Sequence, residues 1–375
     1  MTRISVSRAA RYLLVAVEHG RRGVRSTLDS PMYIVELTEP TNFEHSQRPR
    51  PSPGAEEVLV RMNHVGICGS DIHYFQHGRI GEYVVESPLI LGHESAGEVV
   101  AVGRDVEHLS VGDRVALEPG VPCGECVRCR TGSYNLCPEV VFMATPPDDG
   151  AFAEFVAWDA DFAYRLPASV STRAGALCEP LSVGIHATRR GEIGLGDSVL
   201  VTGAGPIGMM VLKAARAAGA GDIIVSDVVP SKLARAEKAG ATTTVNVAEE
   251  DLSDAVAAAT DDNGVDIVVE ASGAAAAITS TTDVVRRGGT IVCIGLTQDD
   301  DIPISMNELV DKELDLRGSF RFKNTYSDAI SLLERGAVEV EDIIDFEMPM
   351  NDLTAAFERA QEPDVIKGIV TVDSE

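Results

Sequence analysis

The pattern of apolar and polar positions changes along the chain. From Met32 to about residue 165, alternating runs such as "EVLVRM" and "SAGEVVAV" are interrupted every few residues by Gly or Pro. A period of two buries one face of each run, and the frequent breakers keep the runs short, which predicts a compact β-rich unit with many turns. From about residue 186 the runs become continuously apolar. "DSVLVTGAG" reads as a strand ending in glycines, "PIGMMVLKAARAAGA" as a helix with small residues on one face, and "GDIIVSD" as a strand. A helix at "KLARAEKAGA" and strands at "TTTVNV", "GVDIVVEAS", "TIVCIGL" and "LDLRGSF" follow, with helical stretches between most of them. Strands alternating with helices predict an α/β fold, a doubly wound parallel sheet covered on both faces. Beyond Phe320 come helical stretches at "SDAISLLERG" and "LTAAFERAQ" and a last strand, "KGIVTVD".

Length and composition narrow this picture. At 375 residues the chain exceeds what one hydrophobic core supports, so two domains are expected. No run approaches the eighteen apolar residues of a membrane span. The 58 acidic residues outnumber the 32 basic ones, giving a formal net charge of -26, spread along the chain. Such a polyanion is a poor partner for nucleic acid or anionic lipid. Only six of the basic residues are Lys. An acidic, Lys-poor surface over a normal core suggests a halophilic protein, kept soluble in concentrated salt where screening weakens its self-repulsion. The seven cysteines are odd in number and unevenly spaced, which fits metal-bound thiolates in a reducing cytoplasm better than a disulfide framework. Residues 1–31 carry six Arg, and their short apolar stretch is followed by Arg21 and Arg22 with no small-residue cleavage site. They read as a disordered or spurious extension, with Met32 as the expected true start.

Candidate chemistry falls in three places. "TGAGPIG" supplies Gly203, Gly205 and Gly208 in G-x-G-x-x-G spacing, with Ile207 inside the turn, between a predicted strand and a predicted helix. Bare backbone amides at the positive end of a helix suit a pyrophosphate. Asp227 closes the next strand, nineteen residues past Gly208, where a carboxylate accepts from the ribose hydroxyls of NAD and repels the extra phosphate of NADP. Lys232 is near enough in sequence to soften that choice, and a plain strand-end cap is the alternative role for Asp227.

Cys123, Cys126, Cys129 and Cys137 are spaced C-x2-C-x2-C-x7-C. Four thiolates complete a tetrahedral zinc ion and leave no place for a substrate, so this site is expected to be structural. An iron–sulfur cluster takes the same ligands, but nothing else here suggests one-electron chemistry. An open metal site is expected upstream, where Cys68 and His93 are suited to zinc and Glu94 and Glu179 can complete the ligand set with a position to spare.

"GICGSDIHY", "LGHE", "EPG", "ATPPDDG", "EPLSVGIHA" and "GAGPIGM" together resemble the sorbitol (polyol) dehydrogenase branch of the zinc-dependent medium-chain dehydrogenases, from about Met32 to the C-terminus. The resemblance implies a β-rich GroES-like catalytic domain over 32–185, a Rossmann domain binding NAD over 186–320, and a return to the catalytic domain over 321–375. It implies two Zn2+ ions per chain. Cys68, His93 and Glu94 resemble the family's catalytic zinc ligands, and Glu179 its carboxylate near the metal, bound directly or through water. Tyr74, Phe142, Thr145 and Arg321 match positions around the family's substrate. The four-cysteine loop is found in some polyol dehydrogenases and missing from the animal sorbitol enzymes, so it does not settle the subfamily. Phe322 stands where those animal enzymes have Tyr, which removes a hydroxyl that could bond the substrate and leaves the choice of polyol open.

The implied reaction is oxidation of a secondary alcohol, acidified by zinc, with hydride passing to NAD+. The proton leaves either through zinc-bound water and Glu179 or through Ser70 and His73. A polyol of the sorbitol or xylitol type needs more polar partners than a simple alcohol, and Tyr74, Thr145, Glu179 and Arg321 could supply them. Threonine, a sugar or a plain alcohol is the alternative substrate, and a non-catalytic NAD-binding protein the remote one. The family further implies a homodimer or homotetramer paired through the edge of the nucleotide sheet.

Overall fold

The computed structural model describes residues 31–297 and 301–372. Apart from Pro31, the predicted extension lies outside these residues. Two large sheets organise them. The first is a seven-stranded, largely antiparallel sheet in which Ala163–Arg165, Arg114–Leu117, Glu94–Val102, Glu57–Gly66, Lys367–Thr371 and Ile344–Pro349 lie in that order, with Phe155–Asp159 also paired to Glu57–Gly66. The second has six strands, all parallel: Thr243–Asn246, Ile223–Asp227, Val199–Thr202, Val265–Glu270, Val285–Cys293 and Asp315–Gly318. Numbered by sequence, that order is 3-2-1-4-5-6, the doubly wound arrangement whose crevice opens at the carboxyl ends of the central strands.

The apolar runs explain the parallel sheet. All four residues of Val199–Thr202 are buried, as are Ile223, Ile224 and Val225 in the neighbouring strand, because helices cover both faces. Burying these side chains removes on the order of 2 kcal/mol of apolar exposure for each Val or Ile.

Among the described residues, two helices of nine or more residues went unseen in the pattern of the sequence. Gly69–His77 starts at Cys68, whose backbone is extended, and ends at Gly78, which is left-handed with φ 67°. Cys178–Gly191 is buried along most of its length and packs against the helix Pro206–Ala218. A helix covered on most sides shows no polar stripe, so periodicity does not reveal it. Gly97 lies inside the strand Glu94–Val102, where a Cβ would come 2.1 Å from the Arg61 carbonyl oxygen, so it serves close strand packing.

The last strand, Lys367–Thr371, inserts between Glu57–Gly66 and Ile344–Pro349 and so returns the chain to the first sheet. The helix Tyr326–Glu334 instead packs on Cys178–Gly191. The strand Glu94–Val102 contacts the helix Cys178–Gly191, which also contacts Asp315–Gly318.

Candidate active site

Cys68, His93 and Glu94 come together where the inner strands Glu57–Gly66 and Glu94–Val102 of the first sheet end and begin. Their sulfur, ring nitrogen and carboxylate oxygen all lie within 4.8 Å of one another. Strand pairing does this, since Gly66 lies opposite Glu94, two residues before Cys68. A Cβ at position 66 would sit 2.0 Å from Glu94 Oε2, so only glycine leaves room for this carboxylate. Asp71, fully buried, joins the two ligand-bearing segments. Its Oδ2 accepts from the Cys68 amide at 3.1 Å, and its Oδ1 accepts from the Gly92 amide at 3.0 Å and faces His93 Nδ1 at 3.3 Å. Burial would lower the His93 imidazole, but Asp71 and Cys68 beside it hold it well above its ordinary value. Lys367 closes the back of the pocket, its ammonium 2.8 Å from both oxygens of Glu94 and 2.9 Å from the Ile67 carbonyl. A thiol, an imidazole and carboxylates held by such outer partners form a donor set that fits zinc.

Glu179 is not part of that close trio. It occupies the first turn of Cys178–Gly191, is buried, and lies in the electrostatic field of His93, Glu94, Lys367 and Asp71. Burial pushes its carboxyl up to about 7, His93 and Lys367 opposing and Glu94 and Asp71 reinforcing.

The four residues placed around the substrate by resemblance also converge. The Tyr74 hydroxyl, pushed up to about 12 mainly by burial, hydrogen-bonds Thr145 and lies in the field of Arg321. The Arg321 guanidinium stands over the Phe142 ring, 3.8 Å from its centroid, and the Phe142 ring is 5.9 Å from that of His93. Ser70 and His73 lie on the helix Gly69–His77. The His73 ring packs edge-on to His77 at 4.7 Å, and its buried Nδ1 has no hydrogen-bond partner among the described residues.

Farther out, the sulfurs of Cys123, Cys126, Cys129 and Cys137 also lie within 4.8 Å of one another. The Cys126–Cys129 and Cys123–Cys129 separations are 3.4 and 3.9 Å, against about 3.8 Å expected across a tetrahedron of zinc–sulfur bonds. Amides of Glu125 and Cys126 draw the Cys123 thiol down to about 7, while burial and the neighbouring thiols push Cys129 up to about 12. A divalent cation is the partner that lets all four ionise together, so this donor set also fits zinc.

The glycine turn lies at the carboxyl end of Val199–Thr202. Gly203 is left-handed at φ 89°, and a Cβ on Gly208 would lie 1.8 Å from the Gly203 carbonyl oxygen, so the helix can start here only without a side chain. A Cβ on Gly205 would meet nothing within 4 Å, which leaves open the cradle a pyrophosphate requires. Ile207 packs on the core beneath. Asp227 accepts from the Ala204 amide at 2.7 Å and the Val229 amide at 2.9 Å, so it ties the glycine turn to its own strand end. Lys232 is half-buried in the first turn of Pro230–Ala239.

Comparison with known proteins matches this geometry. The family descriptions "Alcohol dehydrogenase GroES-like domain" and "Zinc-binding dehydrogenase" fit residues 54–168 and 206–335. Sorbitol dehydrogenase of Bacillus subtilis (strain 168) is 46% identical over 312 residues, 83% of this chain and 88% of that protein. The chain belongs to the sorbitol dehydrogenase branch of the zinc-binding medium-chain dehydrogenases. The rat sorbitol dehydrogenase is 42% identical over 336 residues, 89% of this chain and 94% of its own. Among solved structures, an Escherichia coli oxidoreductase/dehydrogenase of unknown specificity superposes with a TM-score of 0.89 at 36% identity, covering 92% of this chain and all of that one.

In this zinc-binding dehydrogenase, sequence reasoning missed Asp71, Lys367 and Glu118. Asp71 stands inside the quoted "GICGSDIHY", and its spacing to Cys68 was the available signal. Lys367 is 273 positions from Glu94, and no local pattern marks it. Glu118 is almost fully buried; its Oε1 accepts from the Tyr134 hydroxyl at 2.7 Å, and its Oε2 has no hydrogen-bond partner among the described residues. Burial pushes its carboxyl up to about 7.

Proposed function

We propose that the protein oxidises a secondary hydroxyl of a polyol, of the sorbitol or xylitol type, to the ketose and passes the hydride to NAD+. The observation that carries this reading is the gathering of Tyr74, Thr145 and Arg321 beside Cys68, His93 and Glu94. A simple alcohol has no further hydroxyl for these three polar side chains to bind, whereas a polyol does.

Cys68, His93 and Glu94 would hold a Zn2+ ion, which would supply the Lewis acidity that lowers the pKa of a secondary hydroxyl. Asp71 orients His93 and pins the Cys68 segment, and Lys367 balances the charge of Glu94. The Glu179 carboxyl, with its pKa brought near neutrality, accepts the proton that the hydroxyl gives up, and the Ser70–His73 route is the alternative. Tyr74, Thr145 and Arg321 bind the remaining hydroxyls, with Phe142 supporting the guanidinium. The glycine turn holds the cofactor pyrophosphate, and Asp227 keeps lone pairs for the ribose hydroxyls, favouring NAD over NADP.

The same reading assigns a second, structural Zn2+ to the four cysteines. It divides the chain into a catalytic part (32–185 and 321–375) and a nucleotide part (186–320). It also places the enzyme in the cytoplasm as a homodimer or homotetramer joined along Asp315–Gly318, and tolerant of molar salt. None of the helices among the described residues is long and apolar enough to cross a membrane.

A turnover panel tests the reading: sorbitol, xylitol, threonine and primary alcohols, each with NAD+ and NADP+ in molar KCl, alongside metal analysis. Fastest turnover of a polyol with NAD+ and two zincs per chain is expected. Preference for threonine or a primary alcohol overturns the substrate assignment, and absence of any alcohol oxidation overturns the enzymatic one.

A further inference from the structure

The four-cysteine loop does more than close on itself. Between Cys129 and Cys137 it presents three consecutive residues to the segment that carries Arg321. Lys323 Nζ donates to Ser133 Oγ at 2.9 Å, the Asn324 amide donates to the Tyr134 hydroxyl at 2.7 Å, and Asn135 Nδ2 donates to the Phe320 carbonyl at 2.9 Å. These bonds bracket Arg321 on both sides. The loop is itself pegged to the cysteines, because the Gly132 amide donates to the Cys129 carbonyl at 3.0 Å and the Cys137 amide to the Tyr134 carbonyl at 2.9 Å.

The gripped segment needs holding. Arg321 and Asn324 are both left-handed, each with φ 51°, a conformation that costs a non-glycine residue free energy and persists only where the surroundings impose it. Tyr134, Asn135, Phe142 and Arg321 line one small crevice together with Glu118, so the brace and the guanidinium it serves are in direct reach of each other.

We propose that Tyr134 and Asn135 are positioning residues: the four-cysteine loop acts as a brace that holds the Phe320–Asn324 turn, and through it aims the Arg321 guanidinium over Phe142 toward the substrate. The brace thereby tunes affinity for substrates with hydroxyls beyond the reacting carbon. This inference rests on the polyol reading only for the identity of the substrate.

Asn135→Ala and Tyr134→Phe test it, each alone and combined with Arg321→Ala, in the zinc-loaded enzyme. Tyr134→Phe keeps the ring that packs edge-on to Phe162, so it serves if Asn135→Ala folds poorly. KM for sorbitol is expected to rise about tenfold with kcat within about twofold, while KM for butan-2-ol stays unchanged. In the Arg321→Ala background the same substitutions should add nothing further, because their effect passes through that side chain. Hydrogen exchange gives a reading independent of substrate: the peptide spanning residues 320–325 should exchange about tenfold faster in both variants, with zinc content unchanged. Unchanged exchange of that peptide overturns the brace, as does a rise in KM that persists in full without Arg321. An enzyme that turns over no polyol defeats the polyol reading, and the exchange result then decides the brace by itself.

Discussion

Both carboxylate oxygens of Glu94 lie 2.8 Å from the Lys367 ammonium, and neither side chain is more than 1% exposed. The pair joins the start of one strand to the last strand of the chain, so a residue near the C-terminus helps build the metal pocket. Burial works against a charged lysine, and Glu94 and Cys68 offset it and raise the ammonium above its ordinary value. Removing one partner leaves a buried charge uncompensated.

Lys367→Met should therefore destabilise the metal-free protein by about 3–5 kcal/mol, while Glu94→Gln combined with Lys367→Met should recover much of that loss. Urea unfolding of the two variants and the parent measures it. A single variant within about 1 kcal/mol of the parent would show that the pair is not acting as a buried ion pair.

Asp71 binds no candidate substrate group, yet it holds both the Cys68 and the His93 segments. Asp71→Asn should weaken zinc at the Cys68 site by about 10- to 100-fold and leave the four-cysteine site intact. Competition with a chelator, read as two separate metal-release steps, distinguishes the sites. Equal weakening of both would point to general loss of structure.

Glu118 predicts a pH dependence of stability. Its carboxyl titrates at about 7 when folded, against an ordinary value of 4.5. Between those values the folded protein holds a proton that the unfolded chain has released, so stability falls as pH rises. The contribution is complete below about pH 4.5 and lost by about pH 7, on the order of 3 kcal/mol. Glu118→Gln should remove about 3 kcal/mol from the fall in unfolding free energy across that interval and leave the share that Glu179 contributes, and denaturant titrations at pH 5 and pH 7.5 test this. A slope unchanged by the substitution sinks the assignment.

Asp227 carries two duties, a tie to the Ala204 and Val229 amides and the proposed ribose contact. Asp227→Asn removes the charge that repels an added phosphate. The preference for NAD+ over NADP+, measured as a ratio of kcat/KM, should fall by about tenfold or more. A ratio that does not move assigns Asp227 to the backbone tie alone.

Much of this protein was legible in one dimension. The doubly wound sheet could be read because its central strands, Val199–Thr202, Ile223–Asp227 and Val265–Glu270, are mostly apolar runs, and because the glycine turn stands between a strand and a helix. The four cysteines could be read because their ligands are close in sequence. Cys68, His93 and Glu94 were recognisable through the motifs around them, and so were Tyr74, Phe142, Thr145 and Arg321, although periodicity alone would have shown none of these.

The remainder depended on contacts between distant parts of the chain. Lys367 reaches Glu94 only because the last strand inserts beside Glu57–Gly66, and hydrophobic alternation carries no information about which strands become neighbours. The helix Cys178–Gly191 hid because burial on most sides erases the polar stripe that marks a surface helix. The grip of Ser133, Tyr134 and Asn135 on the Arg321 turn spans about 190 positions. Local order follows from side-chain chemistry at neighbouring positions, whereas pairings like these arise only when the whole chain has collapsed around its core.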